Sequence, residues 1–132
     1  MKKYILDSNA LLCFFQKENS WQIVANLFKD HLKGRIELLM SIINFGEFLY
    51  ILKTRASKVE YQKVTAQFDL LNITMIETDL PQVLQAVEYK SLGGIAYPDC
   101  FVLALSKKFK ATVVTGDKEF KKFSTDFEIE WL

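Results

Sequence analysis

Short apolar runs of strand length alternate along this chain with segments of helical periodicity, and the alternation predicts an α/β fold: a mainly parallel sheet with helices on both faces. Two further observations support that class. Half of the 132 residues are hydrophobic and neither a repeat nor a low-complexity linker divides them, so a single domain over residues 1–132 with one continuous core is expected. Two of the apolar runs also end abruptly in a turn that carries an aspartate, Asp7 after Tyr4-Ile5-Leu6 and Asp117 after Ala111-Thr112-Val113-Val114-Thr115. In open α/β sheets ligands and catalytic groups collect at that edge, just outside the carboxyl ends of the strands.

The elements follow in order. Tyr4 to Leu6 reads as a buried strand and Ala10 to Phe15 as the packed helix after it, with Asp7, Ser8 and Asn9 between them. Asp7 is suited to capping that helix as well as to binding a ligand. Ser20 is placed to cap a second helix carrying Trp21, Val24, Ala25, Phe28 and Leu32 on one stripe, and Gly34 ends it. Ile36 to Met40 is a strand. Ser41 leads into a helix with Phe45, Phe48, Leu49 and Leu52 facing inward, which leaves Glu47 on the other side with Asn44, Tyr50 and Ile51.

Ser57 and Glu60 have the spacing of a capping box before a helix that turns Tyr61, Val64, Phe68 and Leu71 inward. A short strand at Ile73 to Ile76 precedes a helix begun by Asp79 and Pro81, with Leu80, Val83, Leu84 and Val87 as its apolar stripe and Gly93-Gly94 as its stop. Cys100 to Leu105 is apolar on all sides and therefore a buried central helix, with Asp99 in its first turn. The fourth strand runs to Thr115, and a short Lys-rich helix and a last strand near Phe127 to Trp131 complete the pattern.

Composition bounds the function. Seventeen basic and sixteen acidic side chains leave a net charge of +1, so a nucleic-acid surface is confined to a local patch. Cys13 and Cys100 lie in apolar runs and read as buried, reduced thiols, and one histidine, His31, read as a helix-surface residue, gives zinc too few partners. Asp7 and Asn9 interrupt the only stretch that resembles a signal peptide and no run is long enough to span a membrane, which makes a cytoplasmic location the default. The Phe14-Phe15 pair and the Trp21 to Phe28 stripe exceed what a small core needs and point to a dimer or partner surface.

Asp7, Glu47, Asp99 and Asp117 are the candidate site. Each has a plain explanation alone, as a cap, a solvated helix residue, an acid favoured by a helix dipole or a turn residue. Gathered at one sheet edge, they would repel by about 4 kcal/mol per close pair at an effective dielectric of ~20, and a cation resolves that conflict. Oxygen ligands without His or Cys favour Mg²⁺ or Mn²⁺, and the chemistry such a centre supports is phosphodiester hydrolysis. Asn9 and Thr115 are placed to orient a carboxylate or a water. Lys118 and Lys121, with Lys107, Lys108, Lys110 and Lys122 around the same strand, and Lys53 with Arg55 and Lys58 after the Glu47 helix, are candidate nucleic-acid-binding residues.

The segments Ile5-Leu6-Asp7-Ser8-Asn9, Asn44-Phe45-Gly46-Glu47-Phe48-Leu49-Tyr50, Pro98-Asp99-Cys100 and Val114-Thr115-Gly116-Asp117-Lys118-Glu119-Phe120 resemble the four conserved blocks of PIN-domain ribonucleases, with the VapC toxins of bacterial and archaeal toxin–antitoxin pairs as the nearest branch. The resemblance covers essentially the whole chain. It implies a three-layer α/β/α sandwich around a mainly parallel sheet of about five strands. It further implies Mg²⁺ or Mn²⁺ held by Asp7, Glu47, Asp99 and Asp117, with Asn9 and Thr115 in support. The implied activity is endoribonucleolytic, on tRNA or ribosomal RNA, with a cognate antitoxin as inhibitor and a homodimer as the common assembly. Two other readings stand beside it: a non-catalytic PIN-like RNA- or protein-binding module, and an α/β phosphotransferase or phosphatase with Asp7 as nucleophile, against which Asn9 stands where such phosphatases place a second acid.

Overall fold

A computed structural model describes residues 1–132. The elements are β1 (Lys2–Leu6), α1 (Ser8–Phe15), α2 (Trp21–Leu32), β2 (Ile36–Ser41), α3 (Ile42–Arg55), α4 (Lys58–Asp69), β3 (Thr74–Ile76), α5 (Leu80–Ser91), α6 (Tyr97–Phe109), β4 (Thr112–Thr115), a 3₁₀ helix (Lys118–Phe123) and β5 (Ile129–Trp131). All four pairings are parallel and the strand order is β3-β2-β1-β4-β5. The expected five-stranded parallel sheet is present.

Strand alternation divides the core into two layers. Leu6, Leu38, Met40 and Val114 face one way and meet Leu11, Val24, Phe28, Phe48 and Phe68 from the first four helices. Ile5, Leu39 and Val113 face the other way and meet Ala86 of α5 and Phe101, Val102 and Leu105 of α6. The inner strands β1, β2 and β4 are covered on both faces where they are buried, so their buried ends read as apolar runs, while the edge strands β3 and β5 keep exposed Thr74 and Glu130. The chain moves outward from β1 through β2 to β3, then returns to the other side of β1 for β4 and β5. The reversal makes the crevice between β1 and β4 the topological switch point, the usual seat of a ligand in such sheets.

Four details depart from the sequence reading. Ser20 occupies the cap position of α2 but its side chain makes no capping bond. Leu80, Leu84 and Val87 of the expected α5 stripe are 68%, 59% and 47% exposed. That helix instead buries Ala86, whose small side chain suits the packing of α5 on α6, and Gln82, whose Nε2 donates to the Glu77 carbonyl at 2.8 Å. Phe14, Phe15 and Trp21 pack partly buried against the first core layer, with Phe14 edge-on to Phe15, Trp21 and Phe28 at 5.0, 6.5 and 4.8 Å between ring centres, so the cluster serves the core as well as the surface. His31 is half-buried: Nε2 lies 2.9 Å from the Asn72 carbonyl and Nδ1 3.2 Å from the Leu38 amide, which joins α2 to β2 and to the turn before β3. Cys13 and Cys100 are free and buried, as expected. No helix is long and apolar enough to cross a membrane.

Candidate active site

Asp7 ends β1 and caps α1 at the same time. Its Oδ1 accepts from the Ala10 amide at 2.8 Å, and its Oδ2 accepts from the hydroxyl of Thr115, the last residue of β4. The capping and the ligand readings of Asp7 are therefore compatible, since one oxygen closes the helix and the other faces the switch-point crevice. The carboxyl is 1% exposed. Burial pushes its pKa up to about 7, the hydrogen bonds from Thr115 and Ala10 oppose the rise, and the charges of Asp117 and Glu47 add to it.

Thr115 and Asn9 stitch β1 to β4. The Thr115 hydroxyl that donates to Asp7 also accepts from the Asp117 amide at 3.0 Å, and Asn9 Oδ1 accepts from the Gly116 amide at 2.8 Å. Gly116 has no freedom to carry a side chain, because a Cβ there would lie 2.9 Å from Asn9 Oδ1. Asp117 then caps the 3₁₀ helix, its Oδ1 accepting from the Glu119 amide at 2.9 Å.

The other two acids arrive on helices. Pro98 in the first turn of α6 fixes the backbone where no amide is needed, and Asp99 follows it, 6% exposed. Burial raises the Asp99 pKa to about 8, reinforced by the charges of Asp7, Asp117 and Glu47. A helix N-terminus favours a carboxylate, so the desolvation and repulsion here outweigh the dipole. Asn44, fully buried, donates from Nδ2 to the Pro98 carbonyl at 3.1 Å and so clamps α3 to the start of α6, while its Oδ1 has no partner. One turn further along α3, half-buried Glu47 accepts from the Ser8 hydroxyl.

Asp7, Glu47, Asp99 and Asp117 thus share one edge, and the charges of Glu47 and Asp117 there add to the raised pKa values of Asp7 and Asp99. A fifth joins them. Oxygens of Asp99, Asp117 and Glu119 lie within 4.8 Å of one another, and Glu119 Oε2 is held by the Ala96 amide at 3.1 Å. Glu119 was legible only as the acid two residues after Asp117, in a segment whose lysines dominate. The donor set is all oxygen, and its span matches the roughly 4 to 5 Å between opposed ligands of a divalent cation at bond lengths of about 2.1 to 2.6 Å. These residues fit Mg²⁺ or Mn²⁺.

The basic residues divide. Lys118 and Lys121 are exposed on the 3₁₀ helix directly after Asp117. Lys107, Lys108 and Lys110 lie before β4, at its opposite end from Asp117, and Lys108 is 3.8 Å from Asp79. Lys53 sits over the Tyr61 ring at 5.2 Å and Arg55 donates to Gln16 at 3.1 Å, about 9 and 12 Å along α3 from Glu47.

The family model for the PIN domain matches residues 4–125 of the chain. No curated protein matches it by sequence. Among solved structures, it is similar to VapBC2 from Rickettsia felis bound to a promoter DNA fragment, with a TM-score of 0.77, 19% identity and 97% of each chain covered. The DNA-bound VapBC of Salmonella typhimurium gives a TM-score of 0.74 at 18% identity over 98% of each chain. VapC20 of Mycobacterium tuberculosis, a toxin that cleaves the sarcin-ricin loop, gives 0.73 at 13% identity over 94% of this chain and 95% of its own. At such identities the likeness is one of fold.

Proposed function

The chain belongs to the PIN-domain family, and from that premise we propose that it is a Mg²⁺- or Mn²⁺-dependent endoribonuclease, acting in the cytoplasm as the toxin of a toxin–antitoxin pair and silenced by a cognate antitoxin. The observation that carries the reading is the pair of desolvated carboxyls at the switch point, Asp7 at about 7 and Asp99 at about 8, facing three further acids. A fold that needed these residues only for caps and turns would not concentrate them where they repel.

In this reading Asp99, Asp117 and Glu119 hold the cation, with Asp7 and Glu47 beside them. When bound, the ion neutralises charge on the scissile phosphate and lowers the pKa of the attacking water. Thr115 and Asn9 keep Asp7 and the Asp117 turn in register, Ser8 orients Glu47, and the Asn44 clamp sets the distance between Glu47 and Asp99. Lys118 and Lys121 attract the RNA backbone beside the acids. The homodimer and the tRNA or ribosomal RNA substrate belong to the same proposal, supported by toxin–antitoxin assemblies and a loop-cleaving toxin among the structures of the same fold.

Phosphotransfer through Asp7 is disfavoured, since both its oxygens already accept hydrogen bonds and the side chain is 1% exposed. The test is cleavage of a mixed tRNA and rRNA pool by the purified protein in Mg²⁺ or Mn²⁺, against EDTA and Asp7→Asn. Fragments that vanish in both controls support the nuclease. Absence of cleavage, or cleavage that survives Asp7→Asn, overturns it.

A further inference from the structure

Beside the acids lies a cavity of about 400 Å³ lined by Asn9, Cys13, Glu18, Asn19, Ser20, Gly116 and Leu132. Its volume is in the range of small-ligand sites, roughly 300 to 1,000 Å³. Asn9 and Gly116 belong to the two strand-end turns that carry Asp7 and Asp117, so whatever fills the cavity sits one turn from the acids.

The far wall is the turn between α1 and α2, and its backbone is fixed. Lys17 adopts a left-handed conformation with φ of 50°, the Glu18 amide donates to the Cys13 carbonyl at 3.0 Å, and the Trp21 amide donates to the Glu18 carbonyl at 2.9 Å. From this rigid turn the chain presents polar side chains that the fold does not use. Ser20 makes no capping bond, and Asn19 is exposed. Glu18 is in none of the three ion pairs, which join Lys2 to Glu128, Arg35 to Asp30 and Lys108 to Asp79. Lys17, its neighbour, is turned onto the Trp21 ring at 4.6 Å. Glu18 and Cys13 both line the cavity.

We propose that this cavity is a nucleobase pocket that selects guanine in the RNA strand entering the acidic edge, with Glu18 as the selecting group. Single-stranded RNA is read on exposed Watson–Crick edges. Of the four bases only guanine offers two adjacent N–H donors there, at N1 and the exocyclic N2, which a carboxylate accepts together. Adenine and cytosine would turn a bare ring nitrogen toward the same carboxylate, and uracil offers one donor between two carbonyls. The Asn19 amide and the Ser20 hydroxyl supply donors for guanine O6. Cys13 gives the base an apolar surface to lie against.

The inference rests on the RNA-cleaving reading, and its test is independent of turnover. Binding of GMP, IMP, AMP, CMP and UMP to the full chain is followed in EDTA by NMR shifts and calorimetry. The expected result is GMP about tenfold tighter than AMP, CMP or UMP, with IMP, which lacks the N2 amine, several-fold weaker than GMP. Shifts should be confined to Asn9, Cys13 and residues 18–20. Glu18→Gln should erase the preference while leaving the melting temperature unchanged, since the Glu18 side chain makes no hydrogen bond or ion pair within the fold and its backbone bonds are kept.

Equal binding of all nucleotides, a preference that survives Glu18→Gln, or no binding at millimolar GMP overturns the pocket. Failure of the nuclease reading appears elsewhere, as absent metal-dependent cleavage. Mapped cuts without guanine at a fixed offset would overturn the pocket and leave the nuclease standing.

Discussion

Replacing Asp7 with asparagine should make the metal-free protein more stable at alkaline pH and not at acidic pH. Asn keeps an oxygen to accept from the Ala10 amide, so the α1 cap survives. What it removes is a carboxyl whose pKa stands at about 7 in the fold against 3.8 when free. The folded wild type therefore binds more protons than the unfolded chain between those values. Its stability is fully present below about pH 4, declines as the pH rises, and has lost this contribution above about pH 7 to 8. From about pH 5 to pH 8.5 roughly two pKa units of that loss accrue, on the order of 3 kcal/mol at about 1.4 kcal/mol per unit.

For a domain of this size that amounts to about 10 °C of melting temperature. Relief of Asp99, whose raised pKa owes part of its rise to Asp7, enlarges the gap further. The assay is calorimetric melting in EDTA at both pH values, with and without Mn²⁺. The variant's advantage should grow by about this amount between the two pH values, and Mn²⁺ should narrow it by stabilising the wild type more than the variant. A difference independent of pH would mean that Asp7 is not held against desolvation, and the argument for a cation at this edge would lose its main support.

Glu119→Gln preserves the bond from the Ala96 amide but removes one of three clustered charges, so calorimetric Mn²⁺ affinity should fall at least about tenfold with little change in metal-free melting. His31→Ala strips partners from the amide of buried Leu38 and the Asn72 carbonyl, and a urea titration should show a loss of about 1 to 3 kcal/mol with RNA cleavage intact at low temperature. Lys118→Glu with Lys121→Glu should weaken RNA binding to a cleavage-dead background and flatten its salt dependence, by roughly one unit of log–log slope per lost phosphate contact. An unchanged slope would move the RNA path off the 3₁₀ helix.

Most of the architecture was legible because strands covered on both faces are written as short, largely apolar runs, as at Leu38-Leu39-Met40 and Val113-Val114. Asp7 and Asp99 stood out in the sequence for a related reason, since a charge abutting an apolar run has no cause in packing, whereas Glu47 was singled out only by its place off the apolar stripe of its helix. Glu119 escaped because it lies within a short Lys-rich segment, where an acid reads as one of several solvated charges. The α5 stripe misled because helical spacing records which residues share a face and not which face is covered. Small Ala86 and hydrogen-bonded Gln82 decided the packing, and Leu80 and Leu84 were left outside. His31 could not be read at all, since its partners are backbone groups 7 and 41 residues away.

The hydrogen bond between Thr115 and Asp7 joins residues 108 positions apart, and β1 takes its second neighbour from nearly the last strand of the chain. During synthesis at about 5 to 20 residues per second, Asp7 leaves the ribosome many seconds before the residues that complete its surroundings. Until β4 docks, β1 has one free edge, Thr115 does not hold Asp7, and neither Asp117 nor Glu119 is near Asp99. Long-range pairings of this kind form late. A growing chain therefore lacks an assembled acidic edge until β4 and the 3₁₀ helix after it have emerged and docked beside β1.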